Sequence, residues 1–120
     1  MEKDIRKRTF QFAIKVLRYV DSIEKKGIHW SLYDQLLRSG TSIGANVHEA
    51  QGGSSRKDFI RFYEIALKSC NETIYWLSLL SEGLAECTDE LMKLRKDSIE
   101  IGNMLGAAIL SLKGIRSTPR

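Results

Sequence analysis

No proline interrupts residues 1–118; the single proline is Pro119. Proline removes a backbone donor and ends helices, so its absence leaves long stretches free to wind. Only three breaks stand out: Gly27-Ile28-His29, Gln51-Gly52-Gly53-Ser54-Ser55 and Ala85-Glu86-Cys87-Thr88. A start signal follows each. Ser31 with Asp34, and Ser55 with Asp58, have capping-box spacing with Asp in place of Glu. Thr88 precedes Asp89 and Glu90, acids that suit the positive end of a helix dipole. The pattern predicts helices over about 3–26, 31–51, 56–84 and 89–114 of an all-α chain. A length of 120 residues suits one domain, residues 1–116, with 117–120 as a tail.

Periodicity assigns the faces. In the first helix Ile5, Phe12, Ala13, Val16, Leu17, Val20 and Ile23 share one side. Leu32, Leu36, Ile43, Val47 and Ala50 share a side of the second, with Gly40 and Gly44 inside that stripe. Glycine costs about 1 kcal/mol against alanine in a helix interior, so the pair predicts close approach of a neighbouring helix. The third helix is apolar over more than half its circumference. Phe62, Ile65, Trp76 and Leu79 exceed what partners within the chain require. The fourth carries Leu91, Leu94, Ile101, Leu105, Ala108 and Leu112 on its main stripe, with Met92, Ile99 and Leu110 nearly opposite. Surplus apolar surface predicts a second interface, with self-association as the default and these seven residues as its candidates.

Charge is uneven. Residues 2–26 hold eight basic and four acidic side chains, an excess equal to the net charge of +4. Arg6, Lys7, Arg8, Lys15, Arg18, Lys25 and Lys26 are therefore candidate nucleic-acid contacts. The pairs Glu2–Arg6, Asp4–Arg8 and Asp21–Lys25 soften that face. Arg38, Ser42, Asn46 and Glu49 line one side of the second helix, where polar groups can fix packing. Glu72 points into the apolar sector of the third, which predicts a hydrogen-bonding or cationic partner for it.

Catalytic patterns are missing. Cys70 and Cys87, 17 apart, match neither a disulfide framework nor a zinc pattern and read as reduced thiols. No Glu-x-x-His supports a di-metal site, and no Gly-x-Ser-x-Gly supports a hydrolase triad around His48. Gly52-Gly53 lacks the lysine of a phosphate-binding loop. The reading is a non-enzyme without metal or cofactor. No apolar run reaches the ~20 residues of a membrane span, and MEKDIRKRTF carries no signal stretch, so a soluble, cytoplasmic protein without membrane contact is expected.

Three motifs carry a resemblance. They are Gln35-Leu36-Leu37-Arg38, then Ser42-Ile43-Gly44-Ala45-Asn46-Val47-His48-Glu49, and, after a Gly/Ser loop, Phe59-x-x-Phe62-x-x-x-Ala66-x-x-Ser69-x-x-Glu72. This stretch resembles the four-helix-bundle family named for 23S rRNA intervening sequences. Ala50 stands where that family usually has glycine. The resemblance implies an up-down-up-down bundle assembled as a homopentameric ring. It also implies kinship with accessory proteins of diversity-generating retroelements, which associate with a reverse transcriptase and nucleic acid. Arg38, Asn46, Glu49, Ser69 and Glu72 match its motif positions and read as architectural. The expected function is binding of RNA, or of an RNA–protein complex, through basic first-helix surfaces repeated around a ring. The rival is an interaction scaffold for a partner such as a reverse transcriptase, with nucleic-acid contact incidental.

Overall fold

The computed structural model describes residues 2–24, 29–84 and 88–114, with side chains from Ile5 onward. Lys25, Lys26, Cys87 and the 117–120 tail lie outside the described residues. Four helices follow one another: α1 (Glu2–Ser22), α2 (His29–Gln51), α3 (Arg56–Gly83) and α4 (Asp89–Leu112). Two of the expected start signals cap their helices, Ser55 without the return bond of a capping box, because the Asp58 carboxylate accepts from the Ser54 hydroxyl at 2.9 Å instead. The Ser55 hydroxyl accepts from the Asp58 backbone N–H at 3.1 Å, and the Thr88 hydroxyl accepts from that of Leu91 at 3.2 Å. The third does not. α2 begins at His29, so Ser31 and Asp34 lie inside the helix and not at its cap. Burial of Tyr33, whose ring centroid lies 6.3 Å from that of Tyr19 on α1, anchors this early start.

The helices form a square bundle. Each backbone lies close to two neighbours, α1 to α2 and α4, α3 to α2 and α4, and the diagonal pairs stand farther apart. Cross-contacts show neighbours running in opposite directions: Gly44 against Thr9, Ser42 against Ser69, Cys70 against Ser98, Arg8 against Glu100. The α1–α2 seam is the tight approach that the glycine pair predicts. A Cβ on Gly44 would sit 3.2 Å from the Thr9 carbonyl oxygen, and one on Gly40 would sit 3.1 Å from the Val16 methyls. Helix α2 runs through both positions unbroken.

The core takes the expected stripes, Ile5, Phe12, Val16 and Val20 from α1 and Leu36, Ile43 and Val47 from α2 among them. Two placements differ. Leu17, expected inside, is 53% exposed, because Tyr19 and Val20 take the inward positions. Phe62 and Trp76, expected to be surplus, pack against the core, because α3 meets both α2 and α4. Ile65, Leu79 and Leu110 are half-buried outside that core cluster, and Met92 and Ile99 are exposed. No described helix is long and apolar enough to cross a membrane.

Candidate nucleic-acid interface

The predicted α1 cations divide between two seams. Arg8 turns toward α4, where its guanidinium donates to Glu100 Oε1 at 2.6 Å and to Asp97 Oδ1 at 3.3 Å. The hydrogen bond to Glu100 and the nearby Asp97 charge raise the Arg8 pKa above its ordinary value. Lys15 Nζ reaches Asp97 Oδ2 at 3.3 Å. These acids of α4 offset the two cations, and the Asp4 side chain, the expected i,i+4 partner of Arg8, lies outside the described residues. Arg18 borders a recess of about 360 Å³ shared with Lys15, Glu90, Lys93 and Asp97, where two carboxylates offset most of the positive charge. Arg6 and Lys7 differ. Both are exposed and make no ion pair among the described residues.

Arg6 and Lys7 border an open groove of about 730 Å³ between α1 and α2. Phe10, Gly44, Ala45 and His48 also line it, and none of its lining residues is acidic. Phe10 is 66% exposed. A second basic recess, of about 740 Å³, lies between the start of α3 and the end of α4. Arg56, Lys57, Arg61 and Lys113 line it with Glu64. Lys113 pairs with Glu64 at 2.8 Å and Arg61 stacks on Phe62 at 4.6 Å, while Arg56 and Lys57 have no charged partner among the described residues. Sequence reasoning missed this recess. Its signal was the Arg56-Lys57 pair beside a loop, but only the return of α4 brings Lys113 to it.

Antiparallel order sets the charge pattern. The start of α1, the end of α2, the start of α3 and the end of α4 share one end of the bundle. Arg6, Lys7, Arg56, Lys57, Arg61 and Lys113 therefore gather there. Asp21, Asp34, Glu82, Asp89 and Glu90 occupy the opposite end.

The polar motif divides, and only part of it reaches the α2–α3 seam. Asn46 Nδ2 donates to the Ser42 carbonyl at 2.9 Å, and the Ser69 hydroxyl meets that of Ser42 at 3.0 Å. One turn along, the Thr73 hydroxyl lies 3.0 Å from that of Ser39. This ladder satisfies buried hydroxyls between the helices. Arg38, Glu49 and Glu72 stand outside it. All three are exposed, with no side-chain hydrogen bond or ion pair among the described residues. Glu72 thus needs no partner, because its flank of α3 faces solvent and not the core. No group of three metal-ligating side chains occurs among the described residues. Cys70 is buried, its thiol donates to the Ser98 carbonyl at 3.0 Å, and burial pushes its pKa up to about 11.

These features define the class: an antiparallel four-helix bundle with a hydroxyl-laced α2–α3 seam and a cationic end. The chain belongs to the 23S rRNA-intervening sequence protein family, whose profile matches residues 1–107. It is similar in structure to a protein of unknown function from the S23 ribosomal protein family of Bacteroides thetaiotaomicron VPI-5482. The two chains are 36% identical with a TM-score of 0.79, over 88% of this chain and 97% of that one. No curated protein matches the chain.

Proposed function

We propose that this chain is a non-enzymatic, self-associating helical protein that binds RNA, alone or within an RNA–protein complex, through its cationic end. The observation that carries this reading is the gathering of Arg6, Lys7, Arg56 and Lys57 at one end, without charged partners among the described residues. Cations already paired with carboxylates must give up those bonds before meeting phosphate. Unpaired exposed ones release counterions and gain affinity directly. Arg8 and Lys15 are accordingly secondary. The contacts would be to phosphates, and so mostly shape-driven. The family's association with an rRNA insertion supports RNA as the partner.

Self-association rests on the apolar side chains left at the surface of α3 and α4: Tyr75, Met92 and Ile99 exposed, Ile65, Leu79 and Leu110 half-buried. The resemblance points to a pentameric ring, in which each cationic end would repeat once per subunit and the fields would add.

The test is RNA affinity across a salt series for the parent and for Arg6→Glu/Lys7→Glu. The parent should lose affinity steeply as salt rises. Each phosphate contact removed should flatten the logarithmic slope by about 0.7–0.9. Both sites are exposed, so helicity should be unchanged. Binding that ignores salt, or a charge-reversed variant that binds as the parent does, rejects this surface.

A further inference from the structure

The groove between α1 and α2 combines three properties that fold stability does not require. An aromatic ring stands in water, cations flank it, and the walls are low. Aromatic side chains normally bury about 150–250 Å² each, yet Phe10 is 66% exposed while Phe12, two residues on, is buried. Arg6 and Lys7 lie about one turn from Phe10 and border the same groove. The small residues Ala13, Gly44 and Ala45 line the groove with Phe10, and no acid does. Its volume, about 730 Å³, falls within the ~300–1,000 Å³ of ordinary ligand clefts.

We propose that this groove seats an unpaired RNA strand, with Phe10 stacked on a base and Arg6 and Lys7 on the flanking phosphates. The inference rests on the RNA-binding reading above and adds the form of RNA and the site. An RNA duplex offers phosphates but keeps its bases stacked inside, so it leaves the Phe10 ring in water. A protein partner that covered the ring would also have to bring carboxylates to two cations. An unpaired strand supplies a π-face and phosphates together, at nucleotide spacing. Thr41 and His48 add polar groups on the α2 wall that a 2′-hydroxyl can hydrogen-bond, which DNA lacks.

The experiment measures binding of a short uridine-rich RNA, the same sequence as DNA, and an RNA duplex to the full chain. Parent, Phe10→Ala, Phe10→Trp and Arg6→Glu/Lys7→Glu are compared. Phe10→Ala should weaken single-stranded RNA about fivefold or more, the low end of base stacking on an aromatic ring, with an unchanged salt slope. Phe10→Trp should retain affinity and show RNA-dependent fluorescence quenching beyond that of the parent. If Phe10→Ala binds within about twofold of the parent while Arg6→Glu/Lys7→Glu still weakens binding, the groove is refuted and the RNA-binding reading stands. A parent that binds no RNA at low salt removes both. Tighter binding of duplex or of DNA than of single-stranded RNA overturns the strand assignment. A smaller assembly mass for Phe10→Ala in native mass spectrometry marks the ring as a contact between copies, and the inference fails.

Discussion

Cys70 shows how one side chain registers the fold. Its thiol is buried between α3 and α4 and stays protonated up to about pH 11, whereas in the unfolded chain it ionises from its ordinary 9.0. Above pH 9 the unfolded state therefore binds fewer protons at this site, and the native state loses relative stability as pH rises toward 11. The melting temperature of the parent should fall faster over that window than that of Cys70→Ala. Equal slopes would show that burial does not suppress this ionisation. The thiolate is the nucleophile, so alkylating reagents at neutral pH should leave Cys70 unmodified in the folded protein and label it after denaturation. Some residues were legible in this way from the sequence. The caps Ser55 and Thr88 were two, because each depends on a few adjacent positions. Leu17 and Glu72 were not. A helical wheel gives a direction, and only a neighbouring helix decides whether that direction is inside.

At the scale of elements, the α1–α2 approach follows from the absence of side chains at Gly40 and Gly44. The nearest atom to an added Cβ at Gly44 is the Thr9 carbonyl oxygen at 3.2 Å, part of the α1 backbone and unable to swing aside. Gly44→Val should destabilise the bundle by about 1–3 kcal/mol through overpacking. Gly106 on α4 is the control. Nothing lies within 4 Å of an added Cβ there, so Gly106→Ala should stabilise by up to about 1 kcal/mol. Chemical denaturation of both variants checks the contrast, and a neutral Gly44→Val would mean that the seam has slack. The α1–α4 seam works differently. It is the thinnest in the bundle, and its Arg8 and Lys15 contacts to Asp97 and Glu100 are partly exposed ion pairs. Such pairs contribute about 0–1 kcal/mol. Their larger effect is on charge, since they withdraw two cations from the surface that α1 presents. The α1 pattern could not reveal this, because the carboxylates lie more than 80 residues away in the chain.

For the whole molecule, topology converts scattered charges into a polarised rod. Arg6 on α1, Arg56 on α3 and Lys113 at the C-cap of α4 share one end because the chain reverses three times. A ring of such rods would concentrate positive potential on one rim. Native mass spectrometry at tens of micromolar should show a closed oligomer, with five copies the expected state, and Ile99→Lys with Met92→Lys should reduce it to smaller species. A monomeric parent at that concentration would remove the ring, and the pooling of charge with it.

Element type, helix number and most of the core were readable without coordinates. Helical periodicity is local, and a chain without proline through residue 118 has few ways to escape it. Of the motif residues read as architectural, Asn46 and Ser69 join the hydroxyl ladder between α2 and α3, while Arg38, Glu49 and Glu72 are exposed outside it. The pairing of cations with acids, the basic recess shared by α3 and α4, and the Phe10 groove awaited the packed bundle. Each depends on distances between helices remote in sequence. Those distances come from packing the stripes together, and no single stripe contains them.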